Sequence, residues 1–220
     1  MTRITMSSAV IGFVIILAVS ADIVEAKDKD LFEAIFYNDL ETAKLLLDKG
    51  ADVNARDKDG KTVLILASKK GPNLAKLLLD KGADVNAKDN NGITALMDAS
   101  IHDVVELLLD KGADVNARDN NGRTALMKCP YDLEVLKLLL DKGADVNAKD
   151  KDGKTALMAA LRKHYIEGVK FLLDKGADAN VKDKDGKTAL MVASNDPELV
   201  KLLLDKGAEV IAKDKDDKTD

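Results

Sequence analysis

The chain has 220 residues, 46% of them hydrophobic and 33% charged, with a formal net charge of -5. That balance excludes a disordered chain, and because Lys and Asp alternate at short range instead of forming basic blocks, no nucleic-acid partner is expected. Aromatic residues make up 3% and Trp is absent, so a core has to be built from Leu, Ala, Val and Met, which suits thin helical layers.

At the N-terminus, Arg3 precedes an apolar run from Ala9 to Val19, followed by Ser20, Ala21 and polar residues. This is a signal-peptide layout, and the run is well short of the roughly 20 residues a bilayer-spanning helix needs. Small residues stand at minus three and minus one in Val19/Ala21 and in Val24/Ala26. Residues 1–26 are therefore expected to be a signal peptide, cleaved after Ala21 or Ala26, with an uncleaved anchor as the alternative. A periplasmic or secreted protein with no stable membrane span after cleavage follows.

Residues 27–56 begin Asp30-Leu31-Phe32-Glu33, a capping-box-like start, and lack the turn found in later units. They are expected to form an N-terminal capping repeat. From there the chain repeats. DKGADVN begins at Asp48, Asp80, Asp110 and Asp141, with DKGADAN at Asp174 and DKGAEVI at Asp205. A second signature, D-x-x-G-x-T, begins at Asp57, Asp89, Asp119, Asp150 and Asp183, giving repeat lengths of 32, 30, 31 and 33, with Asp214 closing the last at 31. All of the length variation falls between the first helix and the apolar triplet of the second, where exposed backbone tolerates it. Residues 57–213 are thus five internal repeats, and 214–220 a truncated repeat or tail.

Each repeat reads as a turn, a short helix, a second helix and a return loop. The Asp-Lys-Asp-Gly and Asp-Asn-Asn-Gly tetrads carry turn chemistry, with Asp accepting local backbone hydrogen bonds. The second helix opens on Asp39, Asp132 or Asp196 in three units and closes on Gly82, Gly112, Gly143, Gly176 and Gly207, each preceded by Lys. Stacking makes one row of Leu64, Leu96, Leu126, Leu157 and Leu190, and a second of Ala67, Ala99, Cys129, Ala160 and Ala193. Cys129, the single cysteine, is expected to be a buried, inert substitute for alanine.

Catalytic chemistry is not legible. His102 and His164 are the two histidines, far apart in sequence at helix junctions, so no zinc spacing or Cys/His dyad is available. Registering Gly60 as the central glycine of a calcium loop places Ala55 first and Leu66 last, where acidic ligands are required. No cofactor and no metal are expected.

The recurring D-x-x-G-x-T-A-L-M-x-A and L-L-L-D-K-G-A-D-V-N-A signatures resemble the ankyrin repeat, over residues 27–213. The resemblance implies an all-α ankyrin-repeat solenoid of about six repeats with hairpin-like loops, non-catalytic, binding another protein through hairpin tips and concave face. On the matching positions the partner-binding residues are Lys58, Lys61, Asn90, Asn91, Ile93, Asn120, Asn121, Arg123, Lys151, Lys154, Lys184 and Lys187 at the tips. At the first-helix ends and junctions they are Lys69, Lys70, Tyr131, Arg162, Lys163 and Tyr165. The basic character of this set implies an acidic partner surface. The family's T-P-L-H block reads Thr-Ala-Leu-Met in four of the repeats here, so its histidine hydrogen bonds are expected to be missing and methionine packing to replace the polar stapling between layers. Val210 and Ile211 end the last helix pair on apolar residues, from which a weak homodimer through the C-terminal face is an alternative role, as is an envelope protein protecting against a secreted toxin or enzyme.

Overall fold

A computed structural model describes residues 27, 28, 30–129 and 132–210; the expected signal peptide, Tyr131, Ile211 and the tail at 214–220 lie outside the described residues. Among the described residues the structure is all-helical. Residues 30–36 form a first helical segment. After it come α1 (Leu40–Asp48), α2 (Val63–Ala67), α3 (Pro72–Asp80), α4 (Ala95–Asp98), α5 (His102–Asp110) and α6 (Ala125–Lys128). The chain continues through α7 (Leu133–Asp141), α8 (Ala156–Arg162), α9 (Ile166–Asp174), α10 (Ala189–Val192) and α11 (Pro197–Asp205). Short inner helices alternate with longer outer ones. Inner packs on inner along the stack, α2 on α4, α4 on α6, α6 on α8 and α8 on α10, while α1, α3, α5, α7 and α9 form the second layer.

The helices start where the sequence supplies a cap. Asp39, Asp132 and Asp196 accept backbone N–H bonds at the first turns of α1, α7 and α11, and Pro72 and Pro197 take early positions of α3 and α11 where a missing N–H costs nothing. Thr62, Thr94, Thr155 and Thr188 cap their inner helices through Oγ1 at 3.3 to 3.5 Å.

The core is continuous through the stack. Leu64, Leu96, Leu126 and Leu157 are each 1% exposed, whereas Leu190, which has no repeat beyond it among the described residues, is half-buried. Ala67, Ala99, Ala160 and Ala193 are buried as expected, but Cys129 is only half-buried. The reason is local: α6 stops at Lys128, so Cys129 sits at the helix end, where its Sγ donates to the Ala99 carbonyl at 3.1 Å. Burial still pushes the thiol up to about 11, which leaves little thiolate at neutral pH.

Met97, Met127 and Met158 do pack inside the layers, yet they are not a substitute for polar stapling, because three polar ladders run the length of the solenoid. In the first, the side-chain oxygens of Asn54, Asn86, Asn116, Asn147 and Asn180 accept the N–H of Asp84, Asp114, Asp145, Asp178 and Glu209 at 2.8 to 2.9 Å. Their amide groups donate to the carbonyls of Gly82, Gly112, Gly143, Gly176 and Gly207 at 3.0 to 3.4 Å. In the second, Lys81, Lys111, Lys142 and Lys206 pair at 2.6 to 2.9 Å with Asp48, Asp80, Asp110 and Asp174 of the preceding repeat, and Lys175 reaches Asp141 at 3.7 Å. The third joins the tips: Asn90, Asn120, Lys151 and Lys184 donate backbone N–H to the carbonyls of Asp59, Asn91, Asn121 and Asp152. The lysines before the closing glycines therefore bind the neighbouring repeat besides sitting at their own helix ends.

Candidate partner-binding surface

Each tip is held rigid by its leading aspartate. One oxygen of Asp57, Asp89, Asp119, Asp150 and Asp183 accepts the backbone N–H groups two and four residues on, at 2.8 to 3.0 Å. The turn then needs a glycine at positive φ. Gly92 has φ of 76°, and a Cβ there would lie 2.9 Å from the backbone nitrogen of Asn120 in the next tip. The tips stack closely enough that only hydrogen fits between them.

On this frame Lys58, Asn90, Asn91, Asn120, Asn121, Lys151, Lys184 and Lys187 are exposed, and Lys61, Ile93, Arg123 and Lys154 are half-buried at the inner side of the turns. Two of the asparagines are already engaged: Asn90 donates to the Lys58 carbonyl at 3.4 Å and Asn120 to the Asn90 carbonyl at 2.9 Å. The Asn91 and Asn121 side chains point no such bond at a neighbouring tip. Arg123 is anchored, its Nε donating at 2.9 Å to Asp119, whose carboxylate is 1% exposed. Lys154 sits 3.4 Å from Asp152, and Lys184 3.9 Å from the same carboxylate.

The inner helices continue this surface. Four residues past Thr62, Thr94, Thr124, Thr155 and Thr188 stand Leu66, Asp98, Lys128, Ala159 and Val192, half-buried in every repeat. Asp98 is the one acid on the inner helices α2, α4, α6, α8 and α10, and Lys69 bridges it at 2.8 Å. Lys61, Lys128, Arg162 and Lys187 form no ion pair with a described residue. Between the third and fourth tips the surface sinks into a cavity of about 290 Å³, lined by Arg123, Met127, Asp150, Lys154, Met158, Ala159 and Arg162 among others.

Not every expected residue meets in this groove. Lys70 lies at the opposite edge, its Nζ 4.8 Å above the Phe36 ring, and Phe36 in turn meets Tyr37 edge-on at 5.3 Å. Lys163 and Tyr165 occupy the α8–α9 junction, where the Tyr165 ring covers Gly168 and desolvation pushes its hydroxyl up. Tyr131 lies outside the described residues. His164, at φ of 53°, places Nδ1 3.0 Å from Asp196 of the next repeat, and that contact holds the Asp196 carboxyl below its usual range. One inter-repeat imidazole contact thus exists after all, at a different position from the one the Thr block would have supplied.

Sequence reasoning missed Lys128 and Ala159 as groove residues, although the signal was present: their position is where the repeats differ most within the inner helix. It also missed Phe36 and Tyr37, 57% and 71% exposed, because an isolated aromatic pair outside the repeat signature has no pattern to mark it.

No described helix is long and apolar enough to cross a membrane. A family model for ankyrin repeats in three copies matches residues 31–119, 89–150, 102–183 and 129–214, which together reach from the first helical segment to the end of the last repeat. A search of curated proteins finds no match.

Proposed function

The chain belongs to the ankyrin-repeat family, whose repeats are typically non-catalytic and generally act as protein–protein interaction modules, and on that premise we propose a protein-binding module that works outside the cytoplasm. Residues 1–26 carry the export signal, cut after Ala21 or Ala26, residues 27–56 cap the stack, and the partner contacts the hairpin tips and concave floor. The observation that carries this reading is the charge of that floor. Lys61, Arg123, Lys128, Lys154, Arg162 and Lys187 line it, while its one inner-helix acid, Asp98, is already bridged by Lys69. A partner with an acidic surface fits, gaining association rate from long-range attraction.

The mature chain used as bait in an envelope extract should capture a protein that slows backbone hydrogen exchange at the tips and inner helices and leaves the outer helices α3, α5, α7 and α9 unchanged. Slowing confined to the outer helices would overturn the reading. Sequencing of the mature N-terminus should give Asp22 or Lys27, and intact Met1 in soluble cytosol would contradict export.

A second reading has one observation behind it. Leu190 and Met191 are half-buried where Leu157 and Met158 are buried, and Leu204 and Val210 are 41% and 74% exposed at the same end. Weak self-association through this face would cover them. Light scattering should then show mass rising with concentration, and the rise should vanish in Leu204→Lys; a constant monomer mass removes this role.

A further inference from the structure

The cavity between the third and fourth tips differs from the rest of the groove in two independent ways. The inner helix beneath it, α8, runs seven residues where the other inner helices run four or five. Its extra turn carries Arg162, which lies four residues past Met158 and three past Ala159, so all three share one face. Ala159 is the smallest side chain at its position, flanked in neighbouring repeats by Lys128 and Val192, and the missing bulk is what opens the space.

The donors around that space are poised. Arg123 uses Nε on the buried Asp119 carboxylate, which fixes its guanidinium plane and leaves both terminal amino groups for another acceptor. Arg162 forms no ion pair with a described residue, and Lys154 is held only by a long contact to Asp152. Of the two acids at the rim, Asp150 accepts the N–H groups of Asp152 and Lys154 with one oxygen, and Asp152 faces Lys154 and Lys184. Met127 and Met158 form the floor, and thioethers adapt to apolar shapes.

We infer that this cavity is an anchor pocket for one acidic side chain of the partner, a glutamate or aspartate beside an aliphatic residue, with the carboxylate clamped between Arg123 and Arg162 and the aliphatic neighbour on Met127 and Met158. This rests on the groove being the binding surface, and it narrows that surface to one place. The pocket gives the groove a register, since a carboxylate seated there fixes which partner residues face the tips on either side.

The test uses a fluorescent hexapeptide with a central Glu flanked by leucines and its counterpart with Gln, titrated against the mature chain by anisotropy and by NMR of the arginine Nε–H and methionine methyl signals. The Glu peptide should shift the Arg162, Arg123, Met127 and Met158 signals and bind at least about tenfold more tightly than the Gln peptide. That preference should fall in Arg162→Ala and be retained in part in Arg162→Lys, each variant keeping the wild-type far-UV spectrum. Equal binding of the two peptides overturns the pocket, as does equal displacement of the Glu peptide by inorganic phosphate alone. Shifts spread over the tips but absent from Arg162 overturn the pocket and leave the groove standing, whereas shifts confined to the outer helices overturn both.

Discussion

Asn54, Asn86, Asn116, Asn147 and Asn180 hold the same place in successive return loops, and each spends both ends of its amide on the next repeat. Four residues past the threonines that open the inner helices, successive repeats carry Leu66, Asp98, Lys128, Ala159 and Val192 instead. The loop asparagine has two backbone partners at fixed distance, so no other side chain of its length satisfies both. Of the five floor residues Asp98 alone forms an ion pair with a described residue, Lys69 of the preceding repeat, so no partner shared along the stack dictates the identity of the position. Uniformity between repeats marks the side chains that hold the solenoid together, and difference marks those that the stack leaves unconstrained.

Substitutions on either side sharpen this division. The largest effect is expected at the tips, where Gly92→Ala combines a left-handed backbone with a clash against the Asn120 backbone; a loss of roughly 2–4 kcal/mol should appear in urea denaturation. Asn147→Ala removes the bonds to Asp178 and Gly176 and should cost about 1–2 kcal/mol by the same measurement, with the tip structure intact.

Acid should weaken the lysine ladder next. The carboxyls of Asp48, Asp80 and Asp174 are held below their usual range, chiefly by hydrogen bonds from Lys81, Lys111 and Lys206. Because the folded values lie below the unfolded value of about 3.9, the stabilisation is full above that pH and is lost as pH falls through the folded values. Melting temperature should hold from about pH 5 upward and drop below about pH 4, less steeply in Asp80→Asn. At the alkaline end, Asp110 raises the Lys142 pKa, so that pair's contribution fades only as pH rises through the raised value. The smallest effect belongs to the floor: Arg162→Ala should change stability by no more than about 0.5 kcal/mol, because the guanidinium forms no ion pair with a described residue.

The array, its period and its helix caps were legible because each rests on short-range chemistry repeated several times: Asp39, Asp132 and Asp196 cap where their spacing to the leucine triplets says they should. The ladders were not read, although every residue in them stood in the repeat signature. Asn147 to Asp178 and Lys206 to Asp174 join residues about one repeat apart, and nothing local to either partner announces the other. The candidate surface was half legible. Arg123, Lys154 and Arg162 meet around one cavity, whereas Lys70 and Tyr165 are spent on Phe36 and Gly168, contacts that depend on how the junctions fold back.

The division between holding and binding is tested most directly by measuring association of the captured partner with a Lys128→Glu/Arg162→Glu variant at low and moderate salt. Both residues lie on the floor and neither forms an ion pair with a described residue, so the fold should be retained. Association slower than wild type, with a flatter salt dependence, is the result predicted; wild-type association at both salt concentrations would contradict a binding floor.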